Sequence, residues 1–190
     1  MPASGTPDRK KPRSIPRWGA LALSPVALLI AIPLAHGVVP WAISLFGPRY
    51  GWDDGRPSYW NLLGLVPVSA GAMVLVWLMV LGFTQASKMP ERIELDWSPK
   101  ILLTRGPYAF SRHPMYLAEL ALWLGWAILY GSLAVLAGCL VLCIVVCRLV
   151  LKEERELEAK FGETYREYML GVPRWLGIRS RPPGPGRDPP

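Results

Sequence analysis

Leu133-Ala-Val-Leu-Ala-Gly-Cys-Leu-Val-Leu-Cys-Ile-Val-Val-Cys-Arg-Leu-Val-Leu151 carries a single charge, and the residues that follow it, Lys152-Glu153-Glu154-Arg155-Glu156, are all charged. As a helix rising about 1.5 Å per residue, the apolar run is about 28 Å long, close to one hydrocarbon core. Three similar blocks precede it, at about residues 18–46, 60–83 and 115–130. The chain is 52% hydrophobic and only 18% charged, with the apolar residues gathered into these blocks. The fold class expected is an all-α membrane protein with four transmembrane helices.

Between the last two blocks stand only Gly131-Ser132, too short a link for anything except a C-terminal helical hairpin. The first block contains Pro25, Pro33 and Pro40 and reads as a retained, kinked helix instead of a cleaved signal. Lys and Arg crowd the N-terminal tail, the loop near residues 88–112 and the region after Arg148, whereas only Arg49 and Arg56 lie between the first two blocks. Both termini and the middle loop are therefore expected on the cytoplasmic side, in contact with the lipid bilayer. Membrane orientation accounts for the net charge of +7, so no nucleic acid partner is expected.

Residues 1–16 and 177–190 are rich in Pro, Gly, Ser and basic residues and read as disordered tails flanking one domain, residues 17–176. No strand-turn-strand unit is expected within it. The connection at residues 86–107 is long enough to cover a site. Beyond Leu151, the spacing of Leu157, Phe161, Tyr165 and Met169 predicts an amphipathic cytoplasmic extension folding back over the helix mouths, broken at Gly162 and stopped at Pro173.

The chemistry-bearing stretch is Gly106-Pro107-Tyr108-Ala109-Phe110-Ser111-Arg112-His113-Pro114-Met115-Tyr116. Proline at position 114 disfavours helical geometry at His113, so a helix begins there and Tyr108, Arg112, His113 and Tyr116 gather at its mouth. A hairpin brings Glu153-Glu154 to the same level. Each piece alone reads as headgroup contact or a solvated helix face; together they read as a site for a ligand with amine and hydroxyl groups.

With Leu103-Thr104-Arg105-Gly106-Pro107-Tyr108, Arg112-His113-Pro114-Met115-Tyr116, Glu153-Glu154, Phe161-Gly162-Glu163-Thr164-Tyr165-Arg166-Glu167-Tyr168 and Val172-Pro173, the chain resembles the integral-membrane methyltransferases. That family includes isoprenylcysteine carboxyl methyltransferase and the phospholipid methyltransferases. The resemblance covers about residues 100–176 and implies S-adenosylmethionine as cofactor, bound without a dinucleotide-binding domain. It places Tyr108, His113, Pro114, Met115 and Tyr116 along the cofactor pocket, Glu153 at a polar end of the cofactor, and Lys100, Ile101, Leu102 and Leu103 on another wall. Arg112, His113, Arg148 and Glu154 are the catalytic candidates. An arginine that orients a substrate carboxylate in the carboxyl methyltransferases is replaced here by Leu149, with Arg148 beside it. Ala118 stands where a glycine is usual.

The acceptor implied is lipophilic or membrane-dissolved. An isoprenylcysteine-like carboxylate comes first, a phospholipid amine or small thiol next, and a non-catalytic scaffold is the rival from another class. Glu119, one turn inside the third block, either lines the pocket or pairs with Arg112 or a neighbouring backbone group. Cys139, Cys143 and Cys147 repeat every four residues and read as packing, with no metal site expected. His36, near the outer end of the first block, reads as structural.

Overall fold

The computed structural model describes residues 14–16, 30–86, 92–94 and 102–177. It is mostly helical. In chain order the elements are β1 (Ser14–Pro16), α1 (Ile30–Ile43), β2 (Trp52–Asp53), β3 (Arg56–Pro57), α2 (Tyr59–Leu62), α3 (Leu65–Ala86), β4 (Arg92–Glu94), α4 (Pro114–Tyr130), α5 (Leu133–Phe161) and α6 (Glu163–Gly171). A 3₁₀ turn, Gly106–Ala109, precedes α4.

Two stretches are long and apolar enough to cross a membrane, Tyr59–Thr84 and Leu133–Phe161; α1 and α4 are shorter apolar helices. Much of the first apolar block, and the tails at 1–13 and 178–190, lie outside the described residues. Helix α1 has a π-helical segment at Leu34–Val38, bracketed by Pro33 and Pro40. Pro40 has no N–H to give the preceding turn, and widening that turn is one way a helix absorbs a missing bond.

The expectation of no strand-turn-strand unit fails in one place. Trp52 pairs with Pro57 and Asp53 with Arg56, and the turn between them places Asp54 at φ 44° and Gly55 at φ 75°. The Asp-Gly dipeptide is itself the signal for such a hairpin turn. Within the stretch expected to be a disordered tail, Ser14–Pro16 forms a short ladder with Arg92–Glu94.

Helix α3 packs along α4 more extensively than any other helix pair. Small residues set the distance: a Cβ added at Gly71 would lie 2.6 Å from the Ala118 carbonyl oxygen, and one at Gly125 2.6 Å from that of Gly64. Ala118 is thus accommodated because its partner across the seam is glycine.

At the far end of α4 the orphan carbonyls find donors, as helix ends require. The buried Asn61 amide donates to Ile128 O at 2.9 Å, and the Trp52 indole donates to Leu129 O at 2.9 Å. Gly131, at φ 55°, closes the helix and receives the Tyr50 N–H at 2.9 Å. Helix α5 begins two residues later, capped by Ser132, and packs back on α4.

Along α5 the buried residues Val135, Cys139, Val146, Val150 and Glu154 form one stripe. That stripe carries a carboxylate to the mouth of α4. The helix runs unbroken past Leu151 to Phe161 and breaks at Gly162, so the extension expected from the spacing continues α5. Helix α6 then packs Tyr165, Tyr168 and Val172 against Leu102, Leu157, Phe161 and Met169. This fold-back delivers residues 173–175 to the His113 turn.

Candidate active site at the His113 turn

Glu154 is the centre of the cluster, at 7% exposure. Its Oε1 lies 3.2 Å from His113 Nε2 and 3.2 Å from Arg112 Nη1. Arg174 forks onto the same carboxylate, Nε donating to both oxygens at 3.1 Å and Nη2 to Oε2 at 2.7 Å. Two hydrogen-bonding side chains and the Arg112 guanidinium, whose Nε and Nη1 make no hydrogen bond among the described residues, therefore converge on one buried acid. Burial alone would raise the Glu154 pKa, but the Arg174 hydrogen bonds, the Arg112 charge and the His113 hydrogen bond hold it below the usual carboxylate range.

The turn is fixed from behind. Arg112 N–H donates to Pro173 O at 3.0 Å, Ser111 Oγ to Arg174 O at 3.2 Å, and His113 N–H to Ser111 Oγ at 3.0 Å. The Tyr168 hydroxyl donates to Tyr108 O at 2.7 Å. The chain segment after α6 thus locks the residues before α4.

This arrangement sets the state of His113. Burial lowers its pKa more than the neighbouring carboxylates raise it, so the ring is neutral at neutral pH. An ionised Glu154 accepts hydrogen bonds only, which puts the ring proton on Nε2 and leaves Nδ1 with a lone pair. Nδ1 lies 3.7 Å from Glu153 Oε2. Glu153 keeps 43% of its side chain exposed, yet that oxygen is buried and has no hydrogen-bond partner among the described residues. Tyr108 stands near the same carboxylate, its phenol pushed up first by burial and then by the Glu153 charge. The Tyr116 and Trp175 rings flank the imidazole at 6.0 and 6.4 Å.

The structure brings Tyr108, Arg112, His113, Tyr116, Glu153 and Glu154 together. Pro114 is buried at the helix start, whereas Met115 faces outward, 44% exposed. Leu102 packs against the α6 cluster, Leu103 is half-buried nearby in sequence, and Lys100 and Ile101 lie outside the described residues. Arg148 is exposed on α5. Two residues from buried Val150, it is turned about 200° around the helix, away from the stripe that carries Glu154. Arg174, Ser111 and Trp175 were not anticipated from sequence; the only hint was an Arg-Trp pair directly after the Pro173 stop.

Glu119 is not paired with Arg112. Its Oε1 lies 3.9 Å from His36 Nε2, and the Trp123 indole donates to His36 Nδ1 at 3.2 Å. His36 is therefore part of a polar cluster between α1 and α4.

The Gly106 turn sits against Trp77, whose ring is 3.7 Å from where a Cβ would be. From Trp77 to Ala86, α3 continues for nine residues, about 13 Å. The polar cluster is thus flanked by an apolar helix instead of lying beyond its end.

The phospholipid methyltransferase family profile matches residues 63–164, more than half of the chain, and takes in α3, the His113 turn, α4 and Glu154. A Haemophilus influenzae protein described only as uncharacterized is 36% identical over 63 residues, 33% of this chain and 100% of that protein. No solved structure matches. A His113 turn locked to an acidic pair on the adjoining helix, inside a profile match of that length, makes this chain a member of the phospholipid methyltransferase family.

Proposed function

We propose that the protein is an integral-membrane S-adenosylmethionine-dependent methyltransferase acting on a lipid-dissolved acceptor, with four crossings and the His113 cluster on the cytoplasmic side. The family supplies the reaction class. The grip of Arg112, His113 and Arg174 on Glu154 is the observation that carries the assignment of the site.

The residues suit the cofactor. It has a cationic amino group, and the Glu153 carboxylate, part-exposed beside Tyr108 and Tyr116 with one buried oxygen lacking a hydrogen bond among the described residues, is the anion that would hold it. Bound S-adenosylmethionine supplies a methyl group already activated on a sulfonium, so alignment and exclusion of water are the protein's main tasks. Tyr116 and Trp175 give aromatic faces near that charge.

For the acceptor, the geometry favours the amine of a membrane lipid. Arg174 forks onto Glu154, the Arg112 charge is paired with the same carboxylate, and Arg148 faces away, so the positive charge of the cluster is already matched by an acid. An amine must lose a proton to use its lone pair. The Nδ1 of neutral His113 accepts it, and Glu154 steadies the imidazolium that results. An isoprenylcysteine-like carboxylate would need Arg148 to turn inward.

The test is transfer of a radiolabelled methyl group to native lipid extract, with the labelled product identified. Label in a lipid amine, abolished in His113→Gln and retained in Arg148→Ala, is expected. Label in a carboxylate, lost in Arg148→Ala, overturns the amine reading. No saturable transfer to any lipid overturns the enzyme reading in favour of a scaffold.

A further inference from the structure

Arg148, a catalytic candidate by its spacing, is turned away from the His113 cluster, which leaves its charge without a task there. It lies on the face of α5 opposite the buried stripe of Val146, Val150 and Glu154 that packs toward α4. At 100° per residue, Val141, Ile144, Val145, Arg148, Lys152 and Arg155 fall within about 60° of one line along that face. All six are exposed.

The line changes character along its length. Val141, Ile144 and Val145 are aliphatic, and the three residues that continue it past the level of Cys147 are cations. Arg148 is the one charge inside the apolar run 133–151, and the exposed Leu149 and Leu151 follow it. On a helix long and apolar enough to cross a bilayer, an arginine so placed lays its aliphatic stem along hydrocarbon and lifts its guanidinium to the lipid phosphates. Lys152 and Arg155 stand about 6 and 10 Å further along the axis.

Little protein charge answers these cations. Arg148 and Arg155 have no ion pair or hydrogen bond among the described residues. Lys152 reaches Glu156 at 3.8 Å, but both side chains are largely exposed and such a pair contributes little. Arg166 on α6 is the contrast, donating to Glu158 at 2.8 Å and to Glu163 at 3.5 Å. The outward face of α5 thus joins an aliphatic strip to an unanswered positive end, which is the complement of an acyl chain and an acidic headgroup.

We infer that this face is a docking site for an acidic phospholipid, with one acyl chain along Val141, Ile144 and Val145 and the anionic headgroup held by Arg148, Lys152 and Arg155. A choline lipid, whose phosphate is balanced by its own ammonium group, is held less tightly. An acidic protein would meet Lys152 and Arg155 but not Arg148, which is set among aliphatic side chains; a lipid reaches all three. The inference rests on α5 crossing the bilayer and on nothing in the methyl-transfer chemistry. Glu154 lies six residues beyond Arg148, so a headgroup held there also fixes the depth of the His113 cluster relative to the lipid phosphates.

The test places the full-length protein in phosphatidylcholine nanodiscs with a little phosphatidylglycerol that carries a diazirine in one acyl chain, and maps labelled residues by mass spectrometry. Labelling of Val141, Ile144 or Val145 should saturate, be competed by unlabelled phosphatidylglycerol and not by phosphatidylcholine, and weaken as salt is raised. A phosphatidylcholine probe with the same diazirine should label these positions without saturating. Arg148→Gln or Arg155→Gln should each weaken the acidic probe about fivefold, the usual worth of one basic residue at a lipid surface. Arg148→Lys should retain it, and Arg166→Gln, a cation already matched by acids, should leave it unchanged. Equal labelling by the two probes, labelling undiminished in the Arg148→Gln/Arg155→Gln double variant, an equal loss in Arg166→Gln, or no labelling of this face at all overturns the site. Labelling needs no cofactor, so its outcome is independent of the radiolabelled transfer assay that tests the enzyme reading.

Discussion

His113 and His36 each face a glutamate across a helix interface, and there the likeness ends. Around Glu154 the imidazole shares its carboxylate with two arginines, at 3.2 Å from Arg112 and 2.7 Å from Arg174. Around Glu119 the imidazole stands at 3.9 Å, its other nitrogen taken by an indole, and no arginine among the described residues is involved. The first arrangement keeps an acid ionised under burial and dictates which histidine nitrogen is free. The second joins two apolar helices. The number of cations converging on the acid, more than the His-Glu pair itself, distinguishes the proposed site of chemistry from a fastening between helices.

The largest effect should come from the acid on the first side of that comparison. Glu154→Ala leaves the buried Arg112 without its counter-charge and the partly exposed Arg174 without its partner, a loss of about 3 kcal/mol, the low end for breaking a buried pair. Glu119→Ala removes a longer contact between two apolar helices, a kind of interaction that averages about 0.6 kcal/mol between membrane helices. Thermal unfolding in detergent measures both, and equal losses would break the distinction. Because both clusters hang on α4, Gly71→Leu should disturb them together. It forces α3 off the Ala118 backbone and costs about 1–3 kcal/mol as overpacking. Loss of only one cluster's behaviour in that variant would show that α4 is not their common support.

A pH series sharpens the contrast further. The folded pKa of His113 lies below its ordinary 6.5, so the unfolded chain takes up that proton first, and stability falls as pH drops through about 6.5. Glu154 is shifted in the acidic sense, so its contribution is full above its ordinary 4.5 and is lost as pH falls from there through its lowered pKa. His113→Gln should flatten the loss below pH 6.5; an unchanged profile would mean that another group causes it. The smallest effect is expected for Arg174→Lys, which keeps the charge but loses the fork, at a partly exposed position where screening limits the cost to under about 1 kcal/mol. Its sharper readout is cofactor affinity, which should fall several-fold if the fork fixes Glu154 and hold steady if charge alone matters.

Much of this was legible in the sequence. The block ending at Leu151, the Gly131-Ser132 link and the four-residue spacing of Leu157, Phe161, Tyr165 and Met169 led to the helices and the fold-back, because burial leaves a periodic trace. The meeting of His113 with Glu154 was readable from proline geometry and helix order. Arg174 was not, since its partner lies 20 residues away and nothing periodic marks an arginine in a loop. Arg148 looked attractive by spacing to Glu153-Glu154, but helical rotation sends it outward. The His36–Glu119 pair was hidden because depth had to be guessed from block ends, and α1 and α4 proved offset. The small hairpin at Asp54-Gly55 was readable and was passed over beside the longer apolar blocks.

The most direct test of the account is calorimetric titration of the detergent-solubilised protein with S-adenosylhomocysteine, comparing wild type, Glu153→Gln and Glu119→Gln. The account predicts saturable binding to wild type, loss in Glu153→Gln and no change in Glu119→Gln. Binding that survives Glu153→Gln but disappears in Glu119→Gln would move the nucleoside site to the other histidine and contradict the account.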